Sequence, residues 1–141
     1  MAAFNKFNAF VEHLAEKVHN LQGDSLKILL TNLAPQASQA TRSQLTEVAP
    51  GAGYAAGGQA AVVLGSGESA GIYKLTLADV VFTAAGGSIG PFRYAVLYND
   101  TPTSPADPLI GWYDYGSSIT LADGETFTVD FDAVNGALTL A

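Results

Sequence analysis

Cysteine is absent from this chain, so neither a disulfide nor a thiolate metal site is possible. Charge is scarce. Lys, Arg, Asp and Glu supply 13% of the residues, against about 25% in an ordinary soluble domain. Basic groups are the scarcest: six Lys and Arg face thirteen Asp and Glu, for a formal net charge of −7. A chain this acidic gains no counterion release on DNA or RNA, which excludes nucleic acid as a partner. No stretch approaches the ~18 apolar residues of a membrane span. The opening MAAFNKFNAFVEHLAEK is interrupted by Asn5, Lys6, Asn8 and Glu12. It lacks the apolar block of a secretory signal, and the mature chain is expected to start here. Histidine occurs only twice, at His13 and His19. Six residues is the wrong step for two imidazoles on one helical face, so no helical zinc pair is expected and both read as surface residues. No cofactor is expected.

What is present is apolar. Hydrophobic residues make up 48% of 141 positions, enough for one domain with a real core. With so few ionic groups, either Ser, Thr, Asn, Gln and Gly cover the surface, or other subunits cover part of it. The second reading is favoured.

The chain divides into residues 1–23, an N-terminal amphipathic helix, and residues 24–141, a β domain. Phe4, Phe7, Val11, Leu14, Val18 and Leu21 recur at steps of three and four and draw one apolar stripe. Gly23 is the expected stop. The stripe packs either on the chain's own sheet or on a neighbouring chain. Strands are predicted over Leu26–Thr31, Leu45–Val48, Ala60–Leu64, Ile72–Leu77, Asp79–Thr83, Thr126–Phe131 and Ala137–Leu140. Asp123-Gly124 and Asn135-Gly136 read as hairpin-type turns. Many short strands between turns indicate a sandwich, jelly roll or barrel.

The richest stretch runs from Phe92 to Tyr115. Phe92, Tyr94, Val96 and Tyr98 alternate with Arg93, Ala95 and Leu97, and Leu109–Tyr115 carries the only tryptophan. A hairpin is predicted, with an exposed loop over Asn99–Pro108. Trp112 and Tyr113 are neighbours on a strand, so they face opposite sides. Trp112, Tyr113 and Tyr115 therefore offer a subunit interface in the first place, or a sugar or peptide site with Asp114. Phe4, Phe7, Val11, Leu14 and Val18 are the interface candidates of the opening helix.

Motifs for chemistry are thin. Gly67-Glu68-Ser69-Ala70-Gly71 matches G-x-S-x-G, but a nucleophile elbow needs a helix after it and a histidine downstream. A strand follows instead, and both histidines lie upstream. A small-residue loop is the expectation, and no catalytic residue is assigned. Asp130 and Asp132 share a strand face where they could hold a hard cation, with solubilising surface acids as the plainer reading. Asp114 and Asp123 are read the same way. The glycines from Gly51 to Gly58 and Gly86-Gly87 lack the Gly-Lys-Ser/Thr step of a phosphate cradle.

The stretches LKILLTN from Leu26, GAGYAAGG from Gly51, ADVVFT from Ala78, FRYAVLYND from Phe92, PLIGWYDYG from Pro108 and TFTVDFDAVNGALTLA from Thr126 occur in this order. In that texture the chain resembles small virion structural proteins of tailed bacteriophages. The resemblance implies a β domain on the capsid exterior, made in the bacterial host cytoplasm and acting as a non-enzymatic decoration or cement protein. Its partner would be the major capsid protein, with the chain itself a dimer or trimer. The alternatives are a tail, fibre or baseplate module, or a carbohydrate-binding β-sandwich.

Overall fold

A computed structural model describes residues 2–141. Its elements are β1 (Phe4–Lys6), α1 (Asn8–Ala15), β2 (Leu26–Thr31), a 3₁₀ turn at Arg42–Gln44, β3 (Gln59–Ala60), β4 (Val63–Ser69), β5 (Ile72–Leu77), β6 (Val80–Thr83), β7 (Ile89–Asn99), β8 (Leu109–Leu121), β9 (Thr126–Val129) and β10 (Leu138–Leu140). The protein is mainly β, with antiparallel sheets and one helix. Five strands run in the order β1-β8-β7-β2-β3, three in the order β10-β5-β4, and β6 pairs with β9.

The predicted hairpin is the spine of the large sheet. β7 and β8 are its longest strands, and they pair from Ile89↔Leu121 to Tyr98↔Leu109. Irregularities in that pairing break the simple alternation. Phe92 and Ala95, three apart, both enter the main core, while Val96 and Tyr98 lie in a second cluster. β2 crosses both faces in the same way: Ile28 and Leu30 join the main core and Leu29 the second. The main core also takes Leu75, Leu77 and Leu138 from the three-stranded sheet, and Val80, Phe82 and Val129 from the pair. Phe127 packs against it with Phe92 at a centroid distance of 4.9 Å.

Several expectations need correction. The helix does not fill residues 1–23. Phe4–Lys6 form a strand on the edge of β8, with Phe4↔Tyr113, Asn5↔Trp112 and Lys6↔Gly111 in register. Gly111 makes this possible, because a Cβ there would run into the Phe4 ring and the Asn5 carbonyl. The helix ends at Ala15, well before Gly23. Val18 N–H donates to the His13 carbonyl and Lys17 N–H to the Leu14 carbonyl, and Lys17 sits at φ 68. That is a Schellman closure with lysine in the left-handed position that glycine usually takes. Periodicity cannot detect it, since Val18 and Leu21 continue the three-four rhythm on the returning chain.

Leu45–Val48 is not a strand; it is tied to β2 by Val48 N–H donating to the Leu30 carbonyl at 2.9 Å and by Thr31 Oγ1 donating to the Thr46 carbonyl. Asp123-Gly124 and Asn135-Gly136 turn the chain, but neither closes a hairpin. β9 leaves β8 to pair with β6, and β10 leaves β9 to pair with β5. Asn99, expected in an exposed loop, is fully buried.

Candidate functional site

The aromatic residues singled out for an interface are largely occupied within the single chain. Phe7 is fully buried and packs at a tilt against Trp112, with ring centroids 4.6 Å apart, in the cluster with Leu29, Val96, Tyr98 and Leu109. Tyr113 points to the opposite face, where its ring meets Phe4 and Phe131 at 5.6 and 6.0 Å. The expected division of Trp112 and Tyr113 between two faces is therefore observed, with cover on both sides. Tyr115 stands edge-on to Phe127 at 4.9 Å, and burial pushes its hydroxyl up to about 12. Leu14 is half-buried against the main core and Val18 half-buried, whereas Val11 is 48% exposed. The helix presents Phe10, a residue off the predicted stripe, as its buried anchor.

Asp114 does not face a cleft with these aromatics. Arg93 donates to both its oxygens, at 2.8 and 3.1 Å, and Gly116 N–H adds a third bond at 2.8 Å. The Arg93 guanidinium first, and the Gly116 amide second, hold this carboxyl below its usual range. Asp132 likewise anchors a turn. It accepts from the backbone N–H of Val134 and Asn135, at 2.9 and 2.8 Å, and from the Asn135 side chain at 2.9 Å. Those bonds lower its pKa as well. Asp123 accepts from Gly86 N–H at 3.0 Å. Among the described residues, no group of three or more His, Asp or Glu could hold a metal ion.

The G-x-S-x-G segment is the tip of the β4–β5 hairpin. Ser69 pairs with Ile72 across a two-residue turn in which Ala70 and Gly71 both have positive φ, at 53° and 83°. This is the type I′ geometry that matches strand twist. β5 follows, and Ser69 is exposed.

The histidines are the least expected feature. The left-handed turn at Lys17 folds His19 back beside His13, with ring centroids 6.1 Å apart. His19 is 6% exposed and touches Phe10 at 5.3 Å, so the surface reading fails for it. Its environment sets its tautomer. Asn99 donates through Nδ2 to Asp24 Oδ2 at 2.7 Å and lies 3.1 Å from His19 Nδ1. The Asn99 Oδ1 is taken by Thr101 N–H at 3.1 Å. The amide cannot be turned round without setting its oxygen against the Asp24 carboxylate. His19 Nδ1 must therefore accept, and the hydrogen sits on Nε2. That Nε2 and His13 Nδ1 are buried without hydrogen-bond partners. His19 can donate from Nε2 but has no lone pair there for a metal or for proton abstraction. Burial first, then His13, lower its pKa to about 4, against a smaller opposing pull from Asp24. A hollow of about 340 Å³ adjoins it, lined by Leu14, Leu21, Ser66, Tyr73 and Leu140 among others. Ser66 Oγ and Tyr73 Oη are bonded to each other at 2.7 Å.

Glu47, which no motif marked, is a second hub. Its carboxylate accepts from Tyr54 Oη at 3.0 Å, from Gly57 N–H at 2.9 and 3.0 Å, and from Arg42 at 3.2 Å. Tyr98 Oη donates to the Gly57 carbonyl at 2.6 Å, and Arg42 also meets Asp107 at 3.6 Å. The neighbouring cleft, about 400 Å³, is bounded by Arg42, Glu47 and Asp107 and by Leu45, Val48 and Pro50. These bonds pin residues 41–58 to the large sheet. Sequence gave no signal for them beyond an isolated acid in a low-charge segment.

No helix among the described residues is long and apolar enough to cross a membrane. No family model matches the chain, and no curated protein or solved structure matches it significantly.

Proposed function

We propose that this protein is a structural, non-enzymatic component of a tailed-phage virion, a decoration or cement domain seated on the capsid exterior and bridging neighbouring capsomers. The finer architectural reading is a sandwich or jelly-roll-like arrangement of the antiparallel sheets. One observation carries the proposal: a chain with few charges leaves Leu33, Val62, Leu64, Ile72 and Val134 between 47% and 77% exposed. Covering the part of such a side chain still exposed is worth roughly 1–2 kcal/mol each. The chain's aromatics are not free for that purpose, so contact with a shell moves to this aliphatic set, chiefly along β4 and β5. The employment of the polar side chains supports the same reading. Asp114, Asp132, Glu47 and Asn99 each fasten a turn or loop, and His19 carries its hydrogen on the nitrogen a base would need free.

The mechanism is linkage. A protein that binds only the assembled shell stabilises that shell, by about 2.7 kcal/mol per site at a hundredfold excess over Kd. The test is whether the chain co-purifies with intact virions, where its density lies, and whether it raises the temperature at which capsids lose their contents. Density on the tail would favour the fibre or baseplate module. A carbohydrate-binding role has weaker support, since Trp112, Tyr113 and Tyr115 do not converge on one cleft. A glycan array showing selective binding would restore it.

A further inference from the structure

We infer that Asn135-Gly136 is a site of spontaneous covalent modification, held off by the native turn and irreversible once the turn has opened. Asn135 deamidates there, and the product does not let β10 close back on β5. This stands independently of the virion reading.

The sequence supplies the reactive step. Asn135 is the only asparagine in the chain that glycine follows. The Gly136 nitrogen, after losing its hydrogen to base, attacks the Asn135 side-chain carbonyl carbon. A C–N bond forms, the bond to Nδ2 breaks, and ammonia leaves with a proton from water. The cyclic imide then adds water at either carbonyl, which gives aspartate or isoaspartate. Base and water are the only other reactants, and Asn135 is exposed to both. Glycine favours the attack because it has no Cβ to crowd the nitrogen.

The fold opposes the first step. Gly136 N–H donates to the Asp132 carbonyl at 2.9 Å, so its hydrogen is withheld from base as it is in a slowly exchanging amide. The Asp132 carboxylate holds the other reactant. Its Oδ2 accepts from Asn135 Nδ2 at 2.9 Å, and its Oδ1 from Asn135 N–H at 2.8 Å. Attack therefore starts from the opened turn alone. Opening gives up several bonds to a carboxylate, which sets the native rate about tenfold or more below that of the unfolded chain.

Either product spoils the closed turn. Aspartate at this position exchanges the Nδ2 donor for a negative oxygen facing the Asp132 carboxylate. Isoaspartate also lengthens the main chain by one carbon just before Gly136, where no room is left. Gly136 sits at φ +86°, and even a Cβ there would collide with the Lys74 stem and the Leu75 carbonyl. Directly after it, Ala137 N–H donates to the Leu75 carbonyl at 2.7 Å, and Leu138 pairs with Leu75 and enters the main core. Modification therefore loosens β10 and uncovers the edge of β5 that β10 occupies.

The test incubates the full-length protein, folded and in urea, and follows the amide-to-acid mass gain at Asn135 by peptide mass spectrometry. The urea sample should deamidate about tenfold faster or more. Asp132→Ala should raise the folded rate about fivefold and leave the urea rate unchanged. Isoaspartate chains separated from the urea sample and refolded should exchange the Ala137 and Leu138 amides about tenfold faster than the parent, with β2 unaffected. Equal rates in the folded and urea samples overturn the inference, as does an Asp132→Ala protein that deamidates no faster when folded. Parent-like exchange at Ala137 and Leu138 in the refolded isoaspartate chains also overturns it.

Discussion

His19 makes acid stability the most direct test of the interior described above. In the native state Asn99 donates to its Nδ1, and Asn99 is itself fixed by Asp24 and Thr101. Protonating Nδ1 would set an N–H against an N–H. The native pKa is lowered from 6.5 to about 4, by burial first and then by His13, with Asp24 opposing. The unfolded chain takes up this proton as pH falls through 6.5; the native chain resists until about 4. Between those values the unfolded state binds more protons, so stability falls as pH falls. The full contribution is present above pH 6.5 and gone at about pH 4. The gap, at about 1.4 kcal/mol per pH unit, comes to about 3 kcal/mol. Urea unfolding at pH 7 and pH 4 measures it, with His19→Gln as reference. Glutamine can still accept from Asn99 through its carbonyl but does not titrate. The wild type should lose about 3 kcal/mol more than the variant, while losses from Asp114 and Asp132 cancel in the comparison. Equal losses, or an imidazole titration for His19 near 6.5 by NMR, would refute the buried neutral tautomer.

Other outcomes follow from the same geometry. Glu47→Gln removes the charge that Gly57, Tyr54 and Arg42 share, and should cost about 2 kcal/mol in urea unfolding. Gly58→Ala should cost about 3 kcal/mol or more, or prevent folding, because φ is +78° and a Cβ would collide with the Ile28 carbonyl. Gly67→Ala has open space and should stay within about 0.5 kcal/mol of the parent. Ser69, exposed on its hairpin with β5 after it, should not react with a fluorophosphonate probe.

The parts legible in sequence are those decided by local pattern. LKILLT and IYKLTL became β2 and β5 at their predicted bounds, and the β7–β8 hairpin was visible in its aromatic alternation. Residues set by backbone conformation or by distant partners were not legible. Lys17 gives no hint that it will occupy a glycine's place, so the periodicity extends the helix too far and sets Phe4, Val18 and Leu21 on a single face. Helical spacing keeps His13 and His19 apart. The spacing argument holds for a helix, but the helix ends between them. Asn99 looked like a loop residue because nothing nearby shows that Asp24 and His19 will meet it. Strand partners were the hardest of all. Both Asx-Gly steps promise a hairpin, yet β9 pairs with a strand 43–49 residues earlier in sequence and β10 with one 63–67 residues earlier.

The division between covered aromatics and exposed aliphatics yields the prediction that bears most on function. Trp112 rests on Phe7 within one chain, so Trp112→Ala should weaken folding by about 2–4 kcal/mol and affect capsid binding only through that loss. Leu64 and Ile72 are 66% and 47% exposed. Leu64→Asp and Ile72→Asp should leave the unfolding midpoint of the free protein nearly unchanged. If β4 and β5 meet the shell, each substitution sets a carboxylate against an apolar contact and should lower affinity about tenfold or more. Co-sedimentation with intact capsids, read beside the free protein's urea curve, separates the two cases. Full binding by both aspartate variants would remove β4 and β5 as the attachment surface and move the contact to Leu33 and Val134, 62% and 77% exposed.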